Sequence, residues 1–231
     1  MRDDICTIPV SEVFEHNDGC PICRMRDTIE ERMTDYILGD AMMEPDVRIE
    51  TNKTGFCEHH YNNMMSRRGR LQLALMLQTH INEINGEIFK KKLFNTDSKK
   101  TGNAKNITDS CFICSKIEWG LSRMIETVYR CYETQKDFRD MFNSQSMFCL
   151  PHYERLLGGA SKRNMKSYYQ EFSENLNRIT GEYSKSLYDD LSKYCTMYDY
   201  RSRDGETDWG NSRDAVERTV AFLNGRIYDV Y

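Results

Sequence analysis

Proline, tryptophan and long apolar runs are scarce in this sequence. Only four prolines and two tryptophans occur among 231 residues. No window reaches the roughly eighteen consecutive apolar residues of a membrane-spanning helix, so we predict no transmembrane segment and no membrane partner. The first ten residues, MRDDICTIPV, lack the apolar core of a secretory signal, which leads us to expect a cytoplasmic protein.

Several patterns that would indicate a β-sheet protein or an enzyme are missing as well. Apolar and polar residues do not alternate over strand-length segments. No nucleophilic side chain is recognisably paired with a base, and the stretch LLGGASK (156–162) lacks the spacing of a phosphate-binding loop. The sequence therefore gives no basis for predicting an enzyme, and it favours an all-α fold.

Cysteine, by contrast, is abundant. The chain has nine cysteines, and the reducing conditions of the cytoplasm keep structural disulfides rare. Cysteines in such a protein indicate metal binding or redox chemistry more than covalent cross-links.

Most of the cysteines belong to a motif that occurs twice. Offsetting the sequence by 91 residues aligns CPIC (20–23) with CFIC (111–114). After one inserted residue, GFCEHHY (55–61) aligns with MFCLPHY (147–153). Each copy thus contains a C-x-x-C pair followed by a C-x-x-H pair, an order and spacing that chance is not expected to repeat.

The repeat predicts how the chain is organised. The first helical unit is expected to span residues 8–94 and the second residues 108–198. Residues 95–110 are polar and lack apolar periodicity, which indicates an exposed linker. Residues 199–231 are expected to form a loop and a C-terminal helix. The predicted fold is therefore two tandem, pseudo-symmetric all-α units, each with a Cys3His metal site, followed by a last helix.

Apolar spacing predicts long helices in both units. Apolar residues recur every three or four positions through 73–88, including Ile81, and the same rhythm runs through 165–198. The stretches 24–38 and 115–133, which directly follow the C-x-x-C pairs, also have helical spacing. These segments should form the framework of each unit.

Glycines indicate one helix end and one packing feature. The last helix is predicted to begin near Asn211 or Ser212 and to end near Gly225. Gly86 and Gly181 occupy the same place in the paired long helices. Because a glycine inside a helix costs about 1 kcal/mol relative to alanine, we expect another backbone to pass close to both.

Each copy supplies three thiols and one imidazole. Two intervening residues allow both thiolates of a C-x-x-C pair to bind one ion from a tight knuckle, and C-x-x-H places its two side chains on one face of a first helical turn. A helix N-terminus also favours thiolate over thiol. We predict one metal site in each copy: Cys20, Cys23, Cys57 and His60 in the first, and Cys111, Cys114, Cys149 and His152 in the second.

The ligand set favours zinc with a structural purpose. Four such ligands close a tetrahedral shell, whereas catalytic zinc sites keep one position open. We therefore expect two Zn²⁺ per chain, each of which could contribute on the order of 10 kcal/mol to folding, as in small zinc modules. An iron–sulfur cluster is the alternative, because such clusters also use cysteine-rich shells in which histidine occurs.

The remaining histidines and cysteines have no place in these sets. His59 has a proline at the matching position and is expected to face solvent, although it would replace His60 if the helix began one residue differently. His16 and His80 are isolated and are expected to be ordinary surface or core residues. Three cysteines lack a repeat partner and are expected to pack as small apolar groups: Cys6, Cys131 and Cys195.

The complete unit resembles one found in a bacterial family of unknown function. In the first copy the resemblance rests on CPIC, EPDVR (44–48) and GFCEHHY, and in the second on CFIC, KDFR (136–139) and MFCLPHY. It covers about residues 8–198. Phe112 stands where proline is usual, and no glycine precedes the second FC, but the ligands are retained. The resemblance implies metal binding and no established activity.

Three functions remain open on the sequence alone. A metal-binding helical scaffold with a protein partner is favoured, because tyrosine and methionine, both abundant here, serve at interfaces. An alternative is a redox protein or sensor that uses an iron–sulfur cluster or zinc thiolates. A third is nucleic-acid binding through residues 61–105, which carry nine Lys or Arg and three acids against a net charge of −4 for the chain. In this third function, the phosphate groups of the nucleic acid would be contacted by Arg67, Arg68, Arg70 and Lys90–Lys92.

Overall fold

Helices account for all regular secondary structure in the described part of the chain. The computed structural model describes residues 7–89, 96–198 and 208–225, and no β-strand occurs within them. The predicted all-α fold is confirmed. None of the helices described has both the length and the apolar character that crossing a bilayer requires. Two features of the sequence analysis, Cys6 and Lys90–Lys92, lie outside the described residues.

The helices follow one another in simple order along the chain. The α-helices are α1 (Thr7–Phe14), α2 (Pro21–Leu38), α3 (Pro45–Thr54), α4 (Glu58–Ser66), α5 (Arg70–Ile84), α6 (Asp97–Thr108), α7 (Phe112–Thr134), α8 (Lys136–Asn143), α9 (Leu150–Gly159), α10 (Tyr169–Tyr198) and α11 (Ala215–Asn224). Turns of 3-10 helix lie at Asp40–Met43 and Gly210–Ser212, and a π-helix at Asn85–Phe89 continues α5.

The four helices predicted from the spacing of apolar residues are all present, as α2, α5, α7 and α10. The long helix α10 buries Phe172, Leu176 and Leu187 along its predicted face. The segment predicted as a linker differs, because residues 97–108 of it form α6. Thr96 caps this helix by accepting a hydrogen bond from the Lys99 N–H at 3.4 Å. No residue of α6 is buried, which is why apolar periodicity did not reveal it.

Two helices differ in detail from the prediction. In α5 the buried stripe runs through Leu73 and Met76, while Ile81 of the predicted face is 53% exposed. The last helix begins at Ala215 because the preceding Gly210–Ser212 forms a separate 3-10 turn. It ends at the predicted Gly225, whose φ of 78° is the left-handed conformation common after helices.

The expected close packing at Gly86 and Gly181 is wrong. A Cβ added at either glycine would meet no neighbouring atom within 4 Å. Within the described residues, no other backbone therefore passes close enough to either position to require glycine there.

The chain divides into two compact units whose boundaries cross the sequence repeat. The larger unit comprises Met1–Met25 and Ser122–Tyr231, and the smaller unit comprises Arg26–Leu121. The boundaries fall within α2 and α7. Each unit therefore contains the C-x-x-C pair of one copy and the C-x-x-H pair of the other, so the units do not follow the spans predicted from the repeat.

An aromatic cluster forms the core of the larger unit. Phe138 and Phe142, one turn apart on α8, are both fully buried. Phe142 stacks on Phe14 of α1 with ring centroids 5.6 Å apart, and it lies 4.9 Å from both Phe148 and Phe172. These contacts hold α1, and the C-x-x-C pair that follows it, against helices of the second copy.

A matching contact organises the smaller unit. The ring of Phe112, at the start of α7, packs edge-on against Phe56 at 6.4 Å. The Phe112 N–H donates to the Gly55 carbonyl at 3.0 Å, and the Ser110 hydroxyl donates to the Thr54 carbonyl at 2.7 Å. The C-x-x-C pair of the second copy is thereby fixed beside the C-x-x-H pair of the first.

Candidate metal centre

Eight cysteine and histidine side chains gather in two clusters, one in each compact unit. The first cluster consists of Cys20, Cys23, Cys149 and His152, and the second cluster consists of Cys57, His60, Cys111 and Cys114. Within each cluster the four ligand atoms all lie within 4.8 Å of one another. Each cluster could therefore hold one metal ion.

The pairing of the motifs differs from the sequence prediction. Each cluster combines the C-x-x-C of one copy with the C-x-x-H of the other, so the predicted grouping of Cys20 and Cys23 with Cys57 and His60 is wrong, as is its counterpart in the second copy. The physical reason is the aromatic packing described above. Phe14 and Phe112 hold each C-x-x-C pair beside the C-x-x-H pair of the opposite copy.

All eight residues lie at helix N-termini in a common arrangement. The first member of each pair directly precedes a helix, and the second member is the third residue of that helix; the helices are α2, α4, α7 and α9. The C-x-x-C pairs thus form first helical turns like the C-x-x-H pairs, and not the separate knuckles predicted. Unpaired N–H groups and the positive end of the helix dipole favour thiolates at such positions.

The first cluster has distances suited to a single ion. Nδ1 of His152 lies 3.1 Å from Sγ of Cys149, 3.3 Å from Sγ of Cys23 and 3.6 Å from Sγ of Cys20. The sulfurs of Cys23 and Cys149 are 3.6 Å apart. Around tetrahedral zinc, with bonds of about 2.3 Å to sulfur and 2.0–2.1 Å to nitrogen, such pairs would lie about 3.5–3.8 Å apart.

The second cluster repeats this geometry. Nδ1 of His60 lies 3.1 Å from Sγ of Cys57, 3.3 Å from Sγ of Cys111 and 3.5 Å from Sγ of Cys114. The sulfurs of Cys57 and Cys114 are 3.8 Å apart. In both clusters Nδ1 is the histidine atom that faces the sulfurs, and the donor set fits one tetrahedral ion.

Comparison with known proteins supports the motif analysis. A family model described as "Family of unknown function (DUF6062)" matches residues 1–230. The chain belongs to this family. No curated protein and no solved structure matches it. Membership of DUF6062 confirms the resemblance seen in the cysteine motifs and assigns no activity.

The two clusters of this DUF6062 chain differ in exposure. In the first, Cys149 is 1% exposed, and Gly225 at the end of α11 lies close to the sulfurs of Cys23 and Cys149. The Cys23 thiol donates to the Gly225 carbonyl at 2.6 Å, and a Cβ at Gly225 would lie 3.4 Å from Sγ of Cys149. In the second cluster Cys114 is exposed and Cys57 is half-buried. Solvent thus reaches the second cluster more readily.

The thiols within each cluster do not ionise alike. Burial opposes ionisation of Cys111, but hydrogen bonds from His60 and from the Cys114 N–H outweigh it and lower the Cys111 pKa to about 6. Burial and the nearby Cys111 sulfur raise the pKa of Cys114. In the first cluster the pKa of Cys20 is likewise lowered despite burial, and that of Cys23 is raised by its sulfur neighbours. Thiolates this close together repel one another, and a bound cation would offset that repulsion.

Sequence reasoning missed one residue beside the second cluster. Oε1 of Glu30 lies 3.3 Å from Nε2 of His60 and 2.7 Å from Nε2 of His59. Burial opposes protonation of His60, but contacts with Cys111 and Glu30 raise its pKa to about 10. Glu30 is 4% exposed on the face of α2 that also buries Ile37. In the sequence, Glu30 could have been recognised as an acid on the apolar face of a predicted helix.

The other singled-out histidines and cysteines lie outside both tetrads. His59 is partly exposed, with 38% of its side chain accessible, but its bond to Glu30 shows that it does not simply face solvent. His80 is a core residue whose Nδ1 lies 2.8 Å from the Asn52 carbonyl, and Cys131 is buried, as expected. Cys195 is exposed, so the expectation that it packs as an apolar group is wrong.

The basic segment is partly neutralised where it is described. Nη1 of Arg67 lies 2.7 Å from Asp35, and its Nε donates to Asn63 at 2.9 Å. Arg68 and Arg70 are exposed. Nucleic-acid binding by this DUF6062 chain stays a prediction.

Proposed function

We propose that the protein is a helical scaffold in which two structural zinc ions each join the N-termini of two helices. The observation that carries this proposal is the convergence of four C-x-x-C or C-x-x-H turns into two tetrads. Each tetrad offers three sulfurs and one Nδ1 atom at the spacing of a single ion. Because the ligands come from segments far apart in sequence, each ion would cross-link the fold as a disulfide does, in a cytoplasm that keeps thiols reduced.

The short separations favour zinc over an iron–sulfur cluster. Sulfur–sulfur distances of 3.6 and 3.8 Å suit ligands that share one ion. An iron–sulfur cluster places several iron and sulfide atoms among its ligands, so its cysteine sulfurs would lie farther apart. Four protein ligands also complete the tetrahedral shell of zinc and leave no position for substrate, which supports a structural role.

A protein partner is part of the proposal. Large apolar side chains remain exposed in both units, among them Trp119 at 62% and Tyr188 at 71%. On α11, Val216, Val220 and Leu223 are 40–49% exposed and recur at the spacing of one helix face. Exposed aromatic and apolar groups of this kind are enriched at protein interfaces.

A redox response is a second candidate, and the exposure of Cys114 favours it. Its sulfur lies 3.8 Å from that of Cys57, which is itself half-buried. Two thiolates here could give two electrons to a peroxide, forming one disulfide and two hydroxide ions and releasing the bound ion. Metal content and cysteine state after peroxide treatment would test this role.

Elemental analysis and an absorption spectrum test the primary proposal. Protein purified without oxygen should be colourless and contain two zinc ions per chain. Two metal ions per chain should be retained in Cys195→Ser, because that cysteine lies outside both clusters. Iron with visible absorption would replace the zinc proposal with the cluster alternative, and protein that takes up no metal at all would contradict both.

A further inference from the structure

The second cluster is bordered by a buried carboxylate that has no counterpart in the aligned positions of the repeat. Glu30 is 4% exposed, and its Oε1 lies between Nε2 of His59, at 2.7 Å, and Nε2 of His60, at 3.3 Å. Burying a carboxylate is costly unless polar partners compensate it. The two imidazole rings supply such partners on one carboxylate oxygen.

The two ring nitrogens of His60 face different groups. Its Nδ1 faces the three sulfurs at 3.1–3.5 Å, and its Nε2 faces Glu30. Nε2 is buried and has no aligned hydrogen-bond partner among the described residues. Histidines that bind metals commonly donate their other N–H to a carboxylate, which fixes the tautomer and orientation of the ring and strengthens it as a ligand.

We propose that Glu30 is a positioning residue for the second metal site, acting through Nε2 of His60, and that His59 holds Glu30 in place. The inference rests on the proposed zinc scaffold. A small turn of the His60 ring on metal binding would align Nε2–H with Oε1. Because Nδ1 would then be held toward Cys57, Cys111 and Cys114, the site would bind zinc more tightly than the same four ligands alone.

The first cluster provides an internal comparison. In the aligned positions of the second copy, Leu121 stands in place of Glu30 and Pro151 in place of His59. Neither side chain can accept a hydrogen bond from an imidazole. Variants of Glu30 should therefore change zinc binding at the second site and leave the first site unchanged.

The test is zinc affinity measured by competition with a coloured chelator in full-length backgrounds that keep one site each. Cys149→Ser retains the second site, and Cys57→Ser retains the first. We expect Glu30→Ala to weaken the second site by about 10–100-fold, the effect typical of outer-shell partners. Glu30→Gln, which keeps an acceptor oxygen without the charge, should lose less. The d–d spectrum of the Co²⁺-substituted second site should also change. Glu31→Ala, an exposed neighbour on the same helix, is the matched control.

Two results would overturn the inference, and they are distinguishable. Unchanged second-site affinity and an unchanged Co²⁺ spectrum in both Glu30 variants would mean that Glu30 only supports the fold, even if the metal-free protein unfolded at lower urea concentration. Equal losses of zinc affinity at both sites would contradict the proposal that Glu30 acts through His60. A wild-type chain that binds no zinc would instead contradict the proposed function itself.

Discussion

Sγ of Cys57 lies 3.8 Å from Sγ of Cys114, although 57 residues separate the two cysteines and they belong to different copies of the repeat. The first cluster contains the same relationship between Cys23 and Cys149, at 3.6 Å across 126 residues. A metal ion in either place would close a long loop of chain. Its removal should therefore affect the fold far from the ligands themselves.

The exchanged pairing predicts an unusual pattern of metal loss. Cys57→Ser and Cys111→Ser should each lower the zinc content from two ions to one, and the double variant should also retain one. Combining Cys57→Ser with Cys20→Ser should remove both ions, because these residues serve different clusters. Elemental analysis after gel filtration measures the content. If each ligand set were confined to one copy, the Cys57→Ser/Cys111→Ser variant would lose both ions and the Cys57→Ser/Cys20→Ser variant would retain one. The control variant Cys195→Ser should keep both ions.

The unequal exposure of the clusters predicts unequal rates of metal exchange. An excess of chelator should remove zinc several-fold faster from a Cys149→Ser protein, which keeps the second site, than from a Cys57→Ser protein, which keeps the first. The reason is access: Cys114 is exposed, whereas Cys149 is 1% and Cys20 7% exposed. Stopped-flow absorbance of the chelator complex gives both rates. Equal rates, or a faster first site, would contradict the role assigned to the end of α11.

Replacing Gly225 should disturb the first site in particular. Its φ of 78° favours glycine, so Gly225→Ala should cost about 1–2 kcal/mol in stability. The added Cβ would also lie 3.4 Å from Sγ of Cys149 and 3.8 Å from Sγ of Cys23, which should weaken zinc binding there. Urea unfolding and chelator competition measure the two effects. Gly210→Ala, at a φ of 50° and away from the cluster, should lower stability without changing zinc affinity.

Replacing Gly181 should have the opposite effect on stability. A Cβ at this position in α10 would meet no atom within 4 Å, so Gly181→Ala should stabilise the protein by about 0.5–1 kcal/mol through helix propensity alone. Urea unfolding of the metal-loaded protein gives the difference. Gly120→Ala is the contrasting variant, because its Cβ would lie 3.2 Å from Cδ1 of Ile29. This close contact should cancel the increase in stability that alanine otherwise gives a helix. A loss of stability in Gly181→Ala would indicate a contact at that position.

Local patterns in the sequence were enough to predict the helical class, the eight side chains that form the clusters and the place of each C-x-x-H pair at a helix start. These features depend on local spacing, since positions three apart share a helical turn wherever the helix lies. The sequence could not reveal α6, which buries nothing. It marked Glu30 only as an acid on the apolar face of α2 and could not show that its carboxylate lies beside His60.

Which pairs of ligands meet depends on packing between segments that are distant in the sequence. The four cysteine turns are locally alike, so pairing within a copy and pairing between copies are equally consistent with the motif. Packing of Phe14 on Phe142, and of Phe112 on Phe56, selected the exchanged arrangement. Such contacts join residues far apart in sequence, and their outcome depends on how whole helices fill a common core.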